Sequence, residues 1–308
     1  MIRIGVTGAT GFVGRSLVET WSAEAEVVPI VRRLGTGLKG EIAVGDLGPE
    51  TDWRPALLGL DVIVHCAGRA HILKEDVASP LEQFRKVNLH ATRRLAEDAT
   101  TEGVGRLIFL STVGVMGHPR DPEGVVKLTD TPDPANPYAQ SKWEAEQALH
   151  MIGGSSGLEL VMVRPPMVYG PAAPGNFARF VKTVERGIPL PLGRADAPRS
   201  FVGIDNLVDF LWHCATRPDA AGKAFFVSDG EDISTAELVR RTAKCLGRPA
   251  HLAPIPPALL RIAGRLAGRK EDVDRLLSNL SVDISENERC LEWRPPFGVT
   301  EQLQRYLA

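Results

Sequence analysis

The chain has 308 residues, enough for a large domain and a smaller lobe. Hydrophobic residues make up 44%, charged residues 24%, and the formal net charge is −2. That is the profile of an ordinary globular protein, with no global basic surplus to hold nucleic acid or an anionic membrane. Cys66, Cys214, Cys245 and Cys290 stand far apart, with no CxxC pair and no metal-ligand spacing, so the sequence lacks what a zinc site requires and the thiols read as reduced. An apolar strand begins at residue 2, which leaves no signal peptide, and no apolar run reaches the length of a membrane span. The expected location is cytoplasmic.

In chain order, residues 2–7 read as a buried strand and 12–21 have helical spacing. Strands follow at 27–31, 42–44 and 61–65, then a helix over 81–101, a strand at 107–110, a helix over 137–151 and a strand at 160–163. Strands alternating with helices predict an α/β fold built on a doubly wound parallel sheet. After Arg164 the texture changes. Residues 165–200 are rich in Pro and Gly and hold one helix, 176–185. A short strand and a helix occupy 201–216, a late strand 224–227, helices 235–246 and 257–266, and a Trp/Pro-rich tail closes the chain. The division this predicts is a first domain over 1–164 and a lobe over most of 165–308, with about 201–227 returning to the main sheet. Residues 261–270 form a mildly basic amphipathic segment, read as an ordinary surface helix with a membrane-surface helix as the alternative.

Residues 7–14, Thr-Gly-Ala-Thr-Gly-Phe-Val-Gly, lie between the first strand and the first helix. Gly8 permits the tight turn, Gly11 lets backbone approach a pyrophosphate, and Gly14 allows close helix–sheet packing. The helix start then offers free N–H groups to the phosphates. The second strand ends in Val31-Arg32-Arg33 with no acidic residue at its tip. Two guanidinium groups there suit the 2′-phosphate of NADP, which favours NADP(H) and leaves NAD(H) open.

Tyr138 and Lys142 stand at i and i+4 on one helix, where an ammonium beside a phenol favours the phenolate and can also reach a nicotinamide ribose. A phenol with its ordinary value near 10 is otherwise too weak an acid to act near neutrality. Ser111 and Thr112 close the fifth strand, at the carboxyl end where open α/β sheets bind ligands.

These residues carry a resemblance. The sequence is similar, over nearly its whole length, to an extended short-chain dehydrogenase/reductase of the NAD-dependent epimerase/dehydratase family that acts on nucleotide sugars. The matching pieces are residues 7–14, Gly45-Asp46-Leu47, His65-Cys66-Ala67-Gly68, Val87-Asn88-Leu89, Ser111-Thr112, Tyr138 with Lys142, residues 164–170, Gly175-Asn176-Phe177 and residues 199–207. The resemblance implies a Rossmann fold with a smaller C-terminal substrate-binding lobe. It also implies a cofactor site at Gly8, Thr10, Gly11, Phe12, Val13, Gly14, Asp46, Leu47, Ala67, Gly68, Asn88, Pro165 and Val168, together with Tyr138 and Lys142. It makes Thr112, rather than Ser111, the catalytic hydroxyl, and gives Asn176 and Arg199 to the nucleotide diphosphate. His71 is a candidate substrate contact or a surface loop histidine.

Two departures matter. The family's Val-Tyr-Gly after the catalytic hydroxyl reads Val115-Met116-Gly117 here, and the Asp-Glu pair of dehydratases is replaced by Val113-Gly114, which removes the acid that 4,6-dehydration needs. What remains is a UDP-sugar oxidoreductase of bacterial polysaccharide type. The sequence, through Arg32 and Arg33, favours a 4-keto reductase of a UDP-6-deoxy-N-acetylhexosamine. A 4-epimerase of UDP-glucose or UDP-N-acetylglucosamine is the alternative, and a non-catalytic dinucleotide sensor is a remote one. Metal and nucleic acid have no place in this reading. A homodimer through the Tyr138 helix is permitted by Leu149 and Met151.

Overall fold

The computed structural model describes residues 1–70, 79–117, 119 and 124–307, without the side chains of Asn176, Lys270, Glu271, Asp272 and Arg275. The strands are β1 (Arg3–Thr7), β2 (Glu26–Val31), β3 (Ile42–Ala43), β4 (Val62–His65), β5 (Arg106–Leu110), β6 (Val125–Val126), β7 (Glu159–Arg164), β8 (Met167–Tyr169), β9 (Pro198–Gly203), β10 (Ala224–Phe226), β11 (Asp232–Ser234) and β12 (Ser281–Val282). The helices of the first half are α1 (Phe12–Trp21), α2 (Arg54–Leu57), α3 (Pro80–Arg85), α4 (Ala91–Thr101) and α5 (Pro137–Ser156). Those of the second half are α6 (Asn176–Glu185), α7 (Ile204–Thr216), α8 (Thr235–Cys245), α9 (Pro257–Leu266), α10 (Lys270–Leu277), α11 (Ser285–Leu291) and α12 (Val299–Leu307).

Seven strands form one parallel sheet in the order β10-β7-β5-β4-β1-β2-β3. The order reverses between β1 and β4, the switch point where doubly wound sheets open a ligand crevice. The inner strands are buried on both faces, and period-two alternation sorts their side chains. Ile4, Val6, Val64, Ile108 and Val161 pack with Leu17 of α1 and Leu207 and Leu211 of α7. Ile30, Ile63, Leu107, Phe109 and Leu160 pack on the other face with Leu57 of α2, Leu95 of α4 and Leu149 of α5.

Several expectations are revised. The helix expected over 81–101 is three pieces: α3, a π-helical turn at Lys86–His90, and α4. Of the stretch 201–227, β10 joins the main sheet, whereas β9 pairs with β8 and β11 in a separate three-stranded sheet. The tail read from its Trp and Pro residues contains α11 and α12, and Leu303 of α12 is buried with Tyr169, Phe177 and Phe201. Leu149 is fully buried in the core, so of the two residues named for a dimer surface Met151 alone is exposed. Among the described residues no helix is long and apolar enough to cross a membrane.

Candidate active site

The glycine turn sits at the switch point. Gly8 has φ +68°, and a Cβ there would stand 2.8 Å from the backbone N of Ala67. β1 and β4 therefore deliver their loops side by side only because residue 8 has no side chain. A Cβ on Gly14 would run into the carbonyl oxygen of Gly8, so α1 can lie this close to the turn only with glycine. Gly11 caps α1 without any side-chain hydrogen bond, and the first turn holds no acidic residue. The leading N–H groups are thus available to an anion. Thr10 is exposed, and Phe12 and Val13 are half-buried along the same edge.

Beneath this turn Thr7 accepts from the Ala67 N–H (3.1 Å) and meets His65 Nδ1 at 2.6 Å, while His65 Nε2 meets the Thr92 hydroxyl at 2.9 Å. Burial, with Lys142 nearby, pushes His65 down to about 3, so the ring is neutral. One ring nitrogen donates and the other accepts, so the neutral imidazole satisfies both hydroxyls in either tautomer. The ring ties β1, β4 and α4 together.

Asn136 and Pro137 explain where Tyr138 lies. The Asn136 side chain accepts from the Ala139 N–H (2.9 Å) and Pro137 opens the helix, so α5 starts with Tyr138 in its first turn. Lys142 follows one turn later. Its Nζ is 4.0 Å from the centroid of the Phe109 ring and would be 3.7 Å from a Cβ on Gly68. Lys142 is buried, and among the described residues its ammonium has no hydrogen-bond acceptor. Burial pushes it down to about 8, opposed by Cys66 and Glu146.

Tyr138 is half-buried against Phe84, with ring centroids 5.8 Å apart. Burial pushes its phenol up to about 12. The sequence expectation was the reverse, a phenol lowered by Lys142. In the protein alone burial sets the direction, although Lys142 stands one helical turn away.

Asn88, on the π-helical turn, closes the site from the side. Its Oδ1 accepts from the Arg69 N–H (2.8 Å), and its Nδ2 donates to the Arg69 carbonyl (3.0 Å) and to Ser141 Oγ (3.0 Å). Ser141 in turn donates to the Tyr138 carbonyl at 2.7 Å. The extra residue of a π turn lets Asn88 face α5 rather than the following turn. Gly68, Asn88, Ser141 and Lys142 thus form one contiguous group.

The two strand-end hydroxyls separate clearly. Ser111 is buried and donates to Glu146 Oε1 at 2.5 Å, and Glu146 also binds Arg164 at 2.5 Å. Thr112 is half-buried and accepts from the Gly114 N–H at 3.1 Å, which leaves its own proton to donate. A Cβ on Gly114 would lie 3.3 Å from Thr112 Oγ1 and 3.5 Å from Ala139 Cβ, so Thr112 neighbours the first turn of α5.

Other predicted residues lie further out. Arg32 and Arg33 are exposed, and Arg32 stands 3.6 Å from the Asp46 carboxylate. Leu47 is half-buried against the core, Pro165 is buried and Val168 half-buried. Asn176 opens α6, its side chain outside the described set, and His71 lies outside the described residues. Arg199 is buried, and its Nη1 donates to the Ser278 carbonyl at 2.6 Å. The sequence reading missed the Ser111–Glu146–Arg164 network, whose one legible signal is that Glu146 lies a helical turn beyond Lys142. It also missed Phe84, which no spacing rule connects to Tyr138.

The arrangement fits a dinucleotide. Its pyrophosphate would meet the Gly8–Gly14 cradle, and its ribose hydroxyls would supply the acceptors that Lys142 lacks. The comparisons with known proteins agree. The model of the family described as NAD dependent epimerase/dehydratase matches residues 4–228. A UDP-glucose 4-epimerase of Vibrio cholerae is 40% identical over 300 residues, 96% of this chain and 92% of that protein. A UDP-glucuronic acid 4-epimerase from Bacillus cereus, solved with NAD, superposes with a TM-score of 0.80 at 21% identity, covering 99% of this chain and 95% of that one. MoeE5, solved with UDP-glucose and NAD, gives a TM-score of 0.79 at 25% identity, covering 99% and 97%. The chain belongs to the NAD-dependent epimerase/dehydratase family and is an NAD(P)-dependent enzyme of the extended short-chain dehydrogenase/reductase type.

Proposed function

We propose that the chain is a UDP-hexose 4-epimerase, with UDP-glucose or UDP-N-acetylglucosamine as its substrate. The observation that carries this is the 40% identity to the Vibrio cholerae UDP-glucose 4-epimerase across 96% of the chain. The absence of an acid at Val113 and Gly114 supports it by removing the dehydratase alternative. NAD(P), when bound, supplies the acceptor for the C4 hydride. Tyr138 takes the proton from the C4 hydroxyl and later returns one. Lys142 provides the positive charge that steadies the phenolate, and Thr112 donates to the C4 oxygen. Asn88 is a positioning residue, acting through Ser141 and the backbone of Arg69. The lobe beyond residue 164, with Asn176 and Arg199, holds the UDP.

The 4-keto reductase remains a second reading, favoured by one observation, the exposed pair Arg32 and Arg33 where a 2′-phosphate would lie. One experiment separates the two. Purified protein is given UDP-glucose, and separately UDP-N-acetylglucosamine, with no added cofactor, and the anomeric proton signals are followed by NMR. The galacto form is expected, with NAD(H) or NADP(H) released on acid extraction. No interconversion, with NADPH consumed only on a UDP-4-keto-6-deoxy-N-acetylhexosamine, overturns the epimerase in favour of the reductase.

A further inference from the structure

Cys290 is held between two groups of opposite charge. It is half-buried near the end of α11. Lys223 Nζ donates to its Sγ at 2.8 Å, and the thiol donates to Glu286 Oε1 at 2.8 Å. The thiol, with Arg289 beyond it, holds the Glu286 carboxyl below the usual carboxylate range, and the same thiol raises Lys223. Lys223 and Cys290 both line a cleft of about 300 Å³, with Arg217, Asp219, Arg289 and Glu292 around it, so a small solute reaches the pair. For the other three thiols burial works against the reactive thiolate: it pushes Cys66 up to about 12 and raises Cys214 and Cys245 as well. Lys223 immediately precedes β10, and its carbonyl accepts from the Met162 N–H at 2.9 Å. That is the amino end of β10, whereas open α/β sheets bind their ligands beyond the carboxyl ends.

We propose that peroxide oxidation joins Cys290 to Lys223 in a covalent bond that fastens α11 to the edge strand β10. The Cys290 proton passes to Glu286, and the Lys223 ammonium steadies the thiolate. The sulfur attacks one oxygen of the peroxide and the O–O bond breaks. A sulfenic acid results, and the departing hydroxide takes the proton from Glu286 to become water. Lys223 Nζ, having lost one proton to solvent, then attacks the sulfenyl sulfur. An S–N bond forms, the S–O bond breaks, and the hydroxyl leaves as water with a second proton from Nζ. The thiol is oxidised by two electrons, one peroxide is reduced to two waters, and the protein loses two hydrogens. Asn287 Nδ2 already ties α11 to β10 through the Phe226 carbonyl at 2.9 Å. The new bond makes that attachment covalent between residues 67 apart in the chain, which restricts the unfolded state. It is independent of the sugar that the enzyme takes.

The test treats the full chain with a few equivalents of hydrogen peroxide and reads intact mass and peptide maps before and after a dithiol reductant. The expected result is a loss of two hydrogens, with the Cys290 and Lys223 peptides joined and the reductant separating them. The joined protein should unfold at least about 5 °C above the reduced parent. Lys223→Gln should stop at the sulfenic acid, which dimedone captures, and Cys290→Ser should form no link. Both variants should unfold near the reduced parent's midpoint, the control for folding. Cys290 found in the parent only as a sulfenic or sulfonic acid, or as a disulfide, overturns the proposal. So does the same loss of hydrogens in Lys223→Gln, or a joined protein that unfolds at the reduced parent's midpoint.

Discussion

Lys142→Met should stabilise the nucleotide-free protein while removing its activity. The ammonium is buried without an acceptor among the described residues and is pushed from the ordinary 10.5 down to about 8. At about 1.36 kcal/mol per pH unit, keeping it charged costs the fold about 3 kcal/mol below pH 8. Its position over the Phe109 ring returns about 1 kcal/mol of that. Methionine keeps the length of the stem and needs no proton, so the net gain is about 2 kcal/mol, a rise of about 4 °C in Tm. The sign with pH is fixed. A lysine whose value falls on folding binds fewer protons in the native state between about 8 and 10.5, so the parent grows more stable as pH rises through that range. The variant's advantage should be constant below pH 8 and shrink above it. Thermal unfolding of nucleotide-stripped protein across pH 6 to 10 measures this, with turnover expected to fall by about 10²–10⁴. A variant less stable than the parent at pH 7, or an advantage indifferent to pH, would refute the view of Lys142 as a buried, uncompensated charge.

Gly14→Ala drives a methyl group against the Gly8 carbonyl and should cost about 2 kcal/mol in urea unfolding, with a weaker dinucleotide titration. Asn88→Ala strands both backbone groups of Arg69 and removes the donor to the Ser141 hydroxyl. It should cost about 3 kcal/mol and lower kcat more than it raises KM, since Ser141 reaches the Tyr138 carbonyl. Thr112→Val should lower kcat about 10²-fold with an unchanged unfolding midpoint, whereas Ser111→Ala should cost about 2 kcal/mol and spare kcat. The opposite pattern in paired kinetic and denaturation measurements would exchange their roles.

What the sequence made legible was whatever the backbone demands locally. The turn at residues 8–14 needs glycine for reasons of space that no other residue satisfies, and the Cβ positions at Gly8 and Gly14 bear this out. The parallel sheet was legible in the apolar runs at β1, β4, β5 and β7, because strands covered on both faces have no polar side to hide the pattern. Asn136-Pro137 announces the start of α5, and with it the turn on which Tyr138 lies. Illegible features depend on register or on distant partners. The π turn at residues 86–90 changes hydrogen-bond register without changing hydropathy, yet it aims Asn88. Glu146 looks like any helix glutamate until β5 and β7 bring Ser111 and Arg164 to it. Leu149 reads as surface from its position near a helix end but belongs to the core.

The electrostatics of the site carry the same lesson one step further. An i, i+4 spacing alone implies that Lys142 lowers the Tyr138 phenol, and the geometry instead has both groups moved toward neutrality, Tyr138 up to about 12 and Lys142 down to about 8. The cause is shared: burial desolvates both, Tyr138 beside Phe84 and Lys142 over the Phe109 ring. Near neutrality Lys142 is still an ammonium, yet the buried phenol keeps its proton, so what makes Tyr138 a base must enter with the ligands that complete the site. Hydrogen-bond acceptors at Lys142 would keep its ammonium charged to higher pH, and a cationic ring beside the phenol would then favour the phenolate. The pH profile of turnover therefore belongs to the ligand-bound state rather than to Tyr138 and Lys142 as they stand alone.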